Sequence, residues 1–261
     1  MERFENRRVI VTGGGSGIGQ ATVLRMLREG GKIVAADVSE AGLEDTRQKA
    51  GDMADRLKGV IIDVSNEQSV KDGVAEAVAW LGGLDALVNA AGILRSSHTE
   101  QTSTETFELI LRINLVGTFQ MIRESIKHLR DGKLPSVVNF SSTSAMFAHP
   151  YMSAYAASKG GIQSMTHAMA SEFAKDGIRF TSVQPGSISS GMTDGHGASE
   201  ANKGAGLPED ADMSLFGKLM PALGQGYGSP DSVANVVALL ASEEGFFITG
   251  TEVRIDGGTH F

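Results

Sequence analysis

Short apolar runs alternate with longer amphipathic segments along most of the chain. Several short runs, such as Val9-Ile10-Val11 and Ile33-Val34-Ala35-Ala36, are apolar without alternation, which is typical of strands covered on both faces. The longer segments carry helix patterns and start signals, for example Ser229-Pro230. This order predicts βαβ units. The seven predicted strands are Val9–Thr12, Lys32–Asp37, Gly59–Asp63, Leu84–Asn89, Ser136–Phe140, Ile178–Val183 and Glu252–Ile255.

The alternation predicts one doubly wound α/β domain over residues 1–261, because no linker, internal repeat or charge block interrupts it. We expect a seven-stranded, mostly parallel sheet with helices on both faces. Residues 187–228 are the exception, being glycine-rich and irregular apart from an amphipathic piece, Met213–Leu223. A long loop in a compact domain is more often a lid or binding loop than a filler, so we predict a substrate lid there.

One predicted helix, Thr102–Arg130, is apolar around more of its circumference than a single core-facing stripe requires. Burial wholly within the monomer explains this pattern, and so does a second buried face against another subunit. Asn114 lies in the middle of the segment, where asparagine is a poor helix residue. A local break, a bound water or a satisfied core asparagine would each account for it.

The composition limits the chemistry that the chain can perform. With Lys+Arg 23 against Asp+Glu 31 the net charge is -8, which argues against nucleic acid or an anionic membrane surface as partner. The charged start has no apolar signal segment, and no later run is long enough to span a membrane, so we expect a cytoplasmic protein. The chain has no cysteine, and its six histidines lack metal-ligand spacing. We therefore predict no catalytic metal and chemistry by oxygen and nitrogen groups or a cofactor.

The first predicted strand leads directly into a glycine-rich turn and a helix pattern. Gly13, Gly17 and Gly19 form G-x-x-x-G-x-G, where bare backbone lets a pyrophosphate reach the amide groups and positive end of the helix. A plain tight turn is the alternative. Asp37 closes the second strand eighteen positions after Gly19, near the spacing at which a carboxylate accepts from the adenine ribose hydroxyls.

Asp37 also bears on the choice of dinucleotide. A carboxylate there repels a 2′-phosphate, no Lys or Arg stands beside it, and Ser16 rather than a basic residue occupies the glycine turn, which favours NAD over NADP. A surface aspartate capping the helix that begins near Ser39 is the alternative. Two further strand ends, Asp63-Val64 and Asn89-Ala90-Ala91-Gly92, lie where an open α/β sheet binds its ligand.

Tyr155 and Lys159 carry the catalytic signal. Because they are four residues apart on a predicted helix, they share a face, and the ammonium can lower the pKa of the phenol. Ser142 lies thirteen residues before Tyr155, just past a strand, where its hydroxyl can donate to a developing alkoxide. Ser141 and Ser144 compete for this role, and any of these serines could instead form a turn.

Together these residues resemble the short-chain dehydrogenase/reductase family, in its branch with Tyr-x-x-x-Lys. The resemblance covers essentially the whole chain. Its matching segments are T-G-G-G-S-G-I-G at Thr12–Gly19, N-A-A-G at Asn89–Gly92, Asn114, the set Ser142, Tyr155 and Lys159, P-G-S-I-S-S at Pro185–Ser190, and T-G-T-E-V-R-I-D-G-G at Thr249–Gly258.

The resemblance implies a Rossmann-type fold and an oxidoreductase that moves a hydride between nicotinamide and a carbinol carbon, interconverting a secondary alcohol and a ketone. In that picture Tyr155 exchanges the hydroxyl proton, and Lys159 lowers its pKa and holds the nicotinamide ribose. Ser142 orients the substrate oxygen, and Asn114 holds a water in a proton relay. A homotetramer is also implied, in agreement with the apolar helix Thr102–Arg130. Motif and resemblance together assign NAD binding to Gly13, Ser16, Gly17, Ile18, Gly19, Asp37, Asp63, Val64, Asn89, Ala90, Ala91, Gly92, Tyr155, Lys159, Pro185, Gly186, Ile188 and Ser190.

The substrate pocket is expected to lie among residues after Gly92, after Ser142 and in the lid. These are mostly apolar, which suggests a hydrophobic or cyclic secondary alcohol or ketone. Gln184 and Ser190 stand where the family often has Asn and Thr, and both keep polar character. A loop histidine such as His149 is more often hydrogen-bonded locally than used for binding. The candidate substrate contacts are Ile93, Leu94, Ser144, Met146, His149, Tyr151, Met192 and Met213–Leu223.

Three other functions compete with this interpretation. A 3-ketoacyl reductase would need NADPH and a basic patch for an acyl carrier, which Asp37 and the acidic chain disfavour. A sugar epimerase or dehydratase would be expected to carry a larger carboxyl-terminal substrate domain. A non-catalytic NAD sensor or scaffold would keep the fold, but the intact Ser142, Tyr155 and Lys159 count against it.

Overall fold

The computed structural model describes residues 2–190, 206–223 and 226–260. Its strands are β1 (Arg8–Thr12), β2 (Lys32–Asp37), β3 (Leu57–Ile61), β4 (Ala86–Asn89), β5 (Ser136–Phe140), β6 (Arg179–Pro185) and β7 (Thr251–Ile255). They form one sheet in the order β3-β2-β1-β4-β5-β6-β7, and every neighbouring pair is parallel. This is the doubly wound, Rossmann-type arrangement, so the predicted fold class is confirmed. That residues 1–261 form a single domain stays a prediction.

Helices connect the strands, and most begin at a side-chain cap. The Ser39 hydroxyl accepts from the Gly42 amide at 3.0 Å, and the Asn66 side chain accepts from the Ser69 amide at 3.0 Å. The helices are α1 (Gly17–Arg28), α2 (Glu40–Ala50), α3 (Glu67–Leu81), α4 (Thr104–Leu111), α5 (Gly117–Leu129), α6 (Ser153–Glu172) and α7 (Pro230–Ala241).

Each face of the sheet has its own apolar core. Val9 and Val11 of β1 belong to one core, which they share with residues of α1, α2 and α7. Ile10, between them, belongs to the other core, with residues of α3, α5 and α6. Helices therefore cover both faces, which explains why the strand sequences are apolar without alternation.

The predicted helix Thr102–Arg130 is divided in the structure. It consists of α4, a π-helical segment Arg112–Val116, and α5. The helix α4 begins at Thr104, two residues after the predicted start at Thr102. Ser103 caps it, since the Ser103 hydroxyl accepts from the Thr106 amide at 3.2 Å. Asn114 lies within the π-helical segment. This segment is the local break that was one of the explanations for an asparagine in the middle of a helix.

Several strand boundaries also differ from the prediction. β3 pairs with β2 from Ile33↔Leu57 to Asp37↔Ile61, so it begins before the predicted Gly59 and ends when β2 ends. β4 begins at Ala86 rather than Leu84, and β6 continues to Pro185, two residues past the predicted end. The shifts follow the pairing register, which a single strand's sequence does not contain.

The described parts of the predicted lid are residues 187–190, 206–223 and 226–228. Met213–Leu219 forms a short 3-10 helical segment, and the Asp212 carboxylate accepts from the Ser214 amide at 2.9 Å at its start. Phe216 and Leu219 turn toward the sheet's carboxyl edge, where they line a cavity.

Candidate active site

The carboxyl ends of the central strands open into a cavity of about 450 Å³, a volume typical of small-molecule sites. It lies where the strand order reverses between β1 and β4, the position at which open α/β sheets bind ligands. The predicted site residues that line it are Gly13, Ser16, Gly17, Ile18, Gly19, Asp37, Asp63, Val64, Ala90, Ala91, Gly92, Ile93, Leu94, Ser142, His149, Tyr155, Lys159, Pro185, Gly186, Ile188 and Ser190.

The glycine turn brings bare backbone to one end of this cavity. Gly13 has a φ of +67°, and a Cβ on Gly19 would lie 2.1 Å from the Gly13 carbonyl oxygen, so the turn needs glycine at both positions. Ser16 precedes α1 but makes no side-chain hydrogen bond to its first turn. The first amide groups of α1 are therefore not capped by Ser16 and suit an anion. This arrangement fits the pyrophosphate of a dinucleotide.

Asp37 lies at the end of β2, beside the glycine turn. One carboxylate oxygen accepts from the Gly15 amide at 3.0 Å, and the other accepts from the Ser39 amide at 3.0 Å. Ser39 itself caps α2, so the helix does not need Asp37 for that purpose. Each Asp37 oxygen keeps a lone pair for a further donor at the cavity wall, such as a ribose hydroxyl.

Ser142, Tyr155 and Lys159 meet at the other end of the cavity. Ser142 lies beside the Tyr155 phenol and lowers its pKa. The Lys159 Nζ lies 5.5 Å from the centroid of the Tyr155 ring and donates to the Phe140 carbonyl at 2.7 Å. The helix α6 presents both Tyr155 and Lys159 on one face, while the end of β5 supplies Phe140. Strand end and helix thus assemble a proton donor, a cation and a hydroxyl in one place.

Burial dominates the ionisation of both groups. Burial raises the pKa of Tyr155 to about 12, although Ser142 acts in the opposite direction. Burial also lowers the pKa of Lys159 to about 8. The expected lowering of the Tyr155 pKa by Lys159 is not found in this structure, because desolvation of the phenolate raises the pKa and only Ser142 lowers it. At neutral pH the phenol holds its proton and is suited to donate it.

Asn114 is fully buried and bonded on every side. Its Oδ1 accepts from the Ile93 amide at 2.8 Å, and its Nδ2 donates to the Ile93 carbonyl and to the Ser158 hydroxyl, each at 3.0 Å. Its own carbonyl accepts from the Thr118 hydroxyl at 2.7 Å. Asn114 is therefore a satisfied core asparagine that joins the loop after β4 to α6, and it does not line the cavity. Its role in holding a water stays a prediction.

His149 adds a polar group to the cavity wall. Its Nδ1 faces the Phe147 carbonyl at 3.1 Å, so the neutral ring carries its proton there. Its Nε2 lies 3.2 Å from the Thr143 hydroxyl. Burial lowers the pKa of His149, the nearby His260 adds to this effect, and the Phe147 bond opposes it. A neutral His149 therefore presents a hydrogen-bond acceptor at Nε2.

Besides Asn114, four predicted residues that the structure describes do not line the cavity: Asn89, Ser144, Met146 and Tyr151. The side chain of Asn89 is directed toward the neighbouring strand β5, where its Nδ2 donates to Asn139 Oδ1 at 2.9 Å. The 3-10 turn after Ser142 buries Ser144 and leaves Met146 58% exposed, so neither forms the substrate wall as predicted. Met192 lies outside the described residues.

The cavity also has lining residues that the sequence did not single out. Met213, Phe216, Leu219 and Met220 lie in the amphipathic piece Met213–Leu223, which was predicted only as a segment, and Ser141 was named as an alternative to Ser142. No sequence signal identifies the others, because a loop residue reaches the cavity only through the path of the chain. These other lining residues are Ala36, Val38, Ile62, Ile113, Phe140, Thr143, Met152, Ser187, Leu207 and Tyr227.

No group of three or more His, Cys, Asp or Glu side chains in residues 2–190, 206–223 and 226–260 is arranged to hold a metal ion. Within the same ranges, no helix combines the length and apolar character needed to cross a membrane.

The protein has a doubly wound sheet with a glycine turn at its switch point, and a Ser–Tyr–Lys group lies at the other end of the same cavity. These features define the class of dinucleotide-dependent dehydrogenases. The family model for "short chain dehydrogenase" matches residues 7–201. The chain belongs to the short-chain dehydrogenase/reductase family, as its motifs predicted.

Similar curated proteins act on different substrates. The chain is 32% identical over 256 residues to the 3-oxoacyl-[acyl-carrier-protein] reductase FabG of Thermotoga maritima, covering 98% of each chain. It is also 32% identical to the 3-alpha-(or 20-beta)-hydroxysteroid dehydrogenase of Mycobacterium bovis, over 98% of this chain and 90% of that protein. Family membership therefore establishes an oxidoreductase of alcohols and ketones but leaves the substrate open.

Similar solved structures hold either dinucleotide. A short chain dehydrogenase from Mycobacterium paratuberculosis bound to NAD superposes with a TM-score of 0.86 and 26% identity, over 98% of each chain. One from Burkholderia cenocepacia J2315 in complex with NADP gives a TM-score of 0.85 and 27% identity, over 98% of this chain and 99% of that one. The choice between the two cofactors must be argued from this chain's own residues.

Proposed function

We propose that this protein is an NAD-dependent oxidoreductase that interconverts a secondary alcohol and a ketone, with a hydrophobic or cyclic substrate. One observation carries the proposal. Ser142, Tyr155 and Lys159 meet at one end of a cavity whose other end holds the glycine turn and Asp37. A dinucleotide extended between these ends would bring its nicotinamide to the acid–base group.

The residues present fit a nicotinamide dinucleotide. The amide groups at the start of α1 would hold its pyrophosphate, Asp37 its adenine ribose, and Asp63 and Val64 would flank its adenine. When bound, the nicotinamide supplies or accepts the hydride.

The chain's own residues handle the oxygen and the proton. The Ser142 hydroxyl orients the substrate oxygen, and the Tyr155 phenol donates its proton to the alkoxide in ketone reduction. The charge of Lys159 favours the phenolate that remains, since its Nζ is 5.5 Å from the Tyr155 ring centroid. Because the pKa of Tyr155 is about 12, alcohol oxidation is favoured by alkaline solution and ketone reduction by neutral solution.

The preference for NAD rests on Asp37. Its carboxylate is fixed by the Gly15 and Ser39 amides at the cavity wall. A 2′-phosphate at the adenine ribose would meet this negative charge, whereas free ribose hydroxyls would donate to it. The two residues next to Asp37 in the sequence, Ala36 and Val38, are not basic and do not offset the repulsion.

The substrate class rests on the wall beyond Tyr155. Ile93, Leu94, Phe216 and Met220 are apolar, and Lys159 is the only Lys or Arg among the described residues that line the cavity. An apolar substrate gains from burial against this wall, while an anionic one would find little to pair with. The hydroxysteroid dehydrogenase relative acts, by its name, on a cyclic apolar substrate of this kind.

The test measures NADH formation by absorbance over a panel of aliphatic and cyclic secondary alcohols at mildly alkaline pH. NADP is run in parallel, and Tyr155→Phe is the matched control because it removes one oxygen atom. We expect turnover with NAD, and a loss of at least about 100-fold in the variant.

Each other outcome contradicts a stated part of the proposal. Faster turnover with NADP would overturn the cofactor assignment, and turnover of 3-ketoacyl thioesters alone would indicate the ketoacyl reductase that the first relative's name suggests. NAD binding without turnover of either the secondary alcohols or the 3-ketoacyl thioesters would indicate a non-catalytic NAD sensor.

We also propose a homotetramer, supported by the outer face of α4 and α5. Leu109, Val116 and Phe119 are 46%, 41% and 40% exposed there, which is costly for apolar side chains in water. Burying this face against a second subunit explains the excess apolar character of the segment. Mass measured by light scattering after size exclusion tests this: four chains are expected, and a monomer would refute it.

A further inference from the structure

Tyr151 has an unfavourable backbone conformation close to the catalytic residues. Its φ is +65°, in the left-handed region that glycine adopts without strain. It lies between Ser142 and Tyr155, four residues before the latter. A non-glycine residue persists in this region only where its other contacts offset the backbone strain.

The contacts that offset the strain at Tyr151 are made with the lid. The Tyr151 hydroxyl accepts from the Asp212 amide at 2.9 Å. Its ring stacks on the Phe216 ring, with centroids 6.1 Å apart and planes at 18°. Tyr151 thus holds the lid segment at two points, one polar and one aromatic, on either side of the start of Met213–Leu219.

Tyr151 also ties the lid to the loop after β4. Its carbonyl accepts from the Ser97 amide at 2.9 Å, and its ring meets the His98 ring edge-on at 5.1 Å. His98 in turn is paired with Asp210 of the lid, 2.9 Å from Nε2 to the carboxylate. Three chain segments that are distant in sequence therefore converge on one side chain.

The lid residues held in this way line the cavity to which the proposed function assigns the substrate. Phe216, which stacks on Tyr151, lines the cavity, and so do Met213 and Leu219 of the same segment. Tyr151 itself is not among the lining residues, so it acts on the cavity through Phe216.

We infer that Tyr151 is a positioning residue for the substrate lid. It sets the place of Phe216 in the cavity wall, and thereby sets the affinity for substrates large enough to reach the lid. The strained φ is retained because a glycine at this position would relax the backbone but lose the hydroxyl and the ring. The role of the cavity as a substrate site rests on the proposed function, whereas the attachment of the lid does not.

The first experiment measures amide hydrogen exchange of peptides covering residues 206–223, in wild type and in Tyr151→Phe and Tyr151→Gly. It uses the full chain without cofactor or substrate, so it can be read whether or not any alcohol is turned over. Tyr151→Phe removes only the acceptor of the Asp212 amide, and we expect about fivefold faster exchange there. Tyr151→Gly relieves the strain but removes all contacts, and we expect at least about tenfold faster exchange across the segment.

A pair of histidine variants supplies the matched control. His98→Asn removes the partner of Asp210, while His167→Asn removes a histidine whose Nε2 is also 2.9 Å from a carboxylate, that of Glu252. We expect faster exchange in residues 206–223 only in the first. Unchanged exchange in both Tyr151 variants would overturn the inference, and so would equal effects of the two histidine variants.

The second experiment separates positioning from a general structural role. With an alcohol taken from the panel above, Tyr151→Phe is expected to raise KM about fivefold while kcat and NADH affinity change less than about twofold. The increase should be confined to bulky cyclic alcohols and absent for 2-propanol, which is too small to contact Phe216. An equal loss for both substrate sizes, or a fall in kcat alone, would refute the positioning role while leaving the oxidoreductase proposal intact.

Discussion

Lys159 is predicted to lower the free energy of unfolding while it supports the activity. It is 5% exposed, and burial lowers its pKa from 10.5 to about 8. A group that is harder to protonate when folded opposes folding wherever it is charged. The lowering from 10.5 to about 8 amounts to about 3 kcal/mol at neutral pH.

Lys159→Met removes this penalty together with one hydrogen bond. The lost bond, from the charged Nζ to the Phe140 carbonyl at 2.7 Å, is worth about 2 kcal/mol at pH 7. The variant should therefore be more stable than wild type by about 1 kcal/mol at pH 7, while its alcohol oxidation falls sharply. At pH 7, where Lys159 is charged, the activity loss follows from a cation 5.5 Å from the Tyr155 ring, worth about 3 kcal/mol at an effective dielectric constant of about 20, or roughly 100-fold in rate.

The assay is urea unfolding followed by circular dichroism at pH 7 and pH 9.5, at one protein concentration. Between the two pKa values the unfolded chain binds more protons, so wild-type stability rises with pH in this window. The penalty falls to about 1.4 kcal/mol at pH 9.5, and the advantage of the variant nearly disappears. Lys175→Met, at an exposed position, should stay within about 0.5 kcal/mol of wild type at both pH values. A variant that is less stable than wild type at pH 7, or equally more stable at both, refutes the reasoning.

Three further outcomes are expected. Asp37→Ser removes the charge beside the adenine ribose, so the ratio of kcat/KM for NADP to that for NAD should rise about 10- to 100-fold; an unchanged ratio would remove Asp37 from cofactor selection. Asp85→Asn should cost about 3–5 kcal/mol in urea unfolding, because Asp85 is 1% exposed and binds Arg8 through both oxygens, 2.7 and 2.9 Å away. Burial alone would raise the pKa of Asp85, but Arg8 and backbone amides hold it below its usual value, so its stabilisation is present at neutral pH and lost as pH falls below about 4. Gly19→Ala would place a Cβ 2.1 Å from the Gly13 carbonyl oxygen, so NADH binding measured by fluorescence should be lost; wild-type affinity would contradict the glycine-turn assignment.

The sequence by itself determined the features that depend on neighbours along the chain. Apolar runs without alternation identified strands covered on both faces, and all six pairings are parallel. The glycine turn was found because strand, turn and helix follow one another directly. Tyr155 and Lys159 were found because a spacing of four on a helix places two side chains on one face wherever that helix lies.

Only the tertiary structure decided what depends on burial and on contacts between distant segments. Desolvation is a sum over all surrounding atoms, so the spacing of Tyr155 and Lys159 gave the wrong direction for the Tyr155 pKa, which burial raises to about 12. The partners of Asn114 come from the loop after β4 and from α6, and its position in the chain indicated only that something unusual occurs there. Tyr151 is connected to the lid by a hydroxyl and a ring that reach residues sixty positions away, and no local pattern contains that contact.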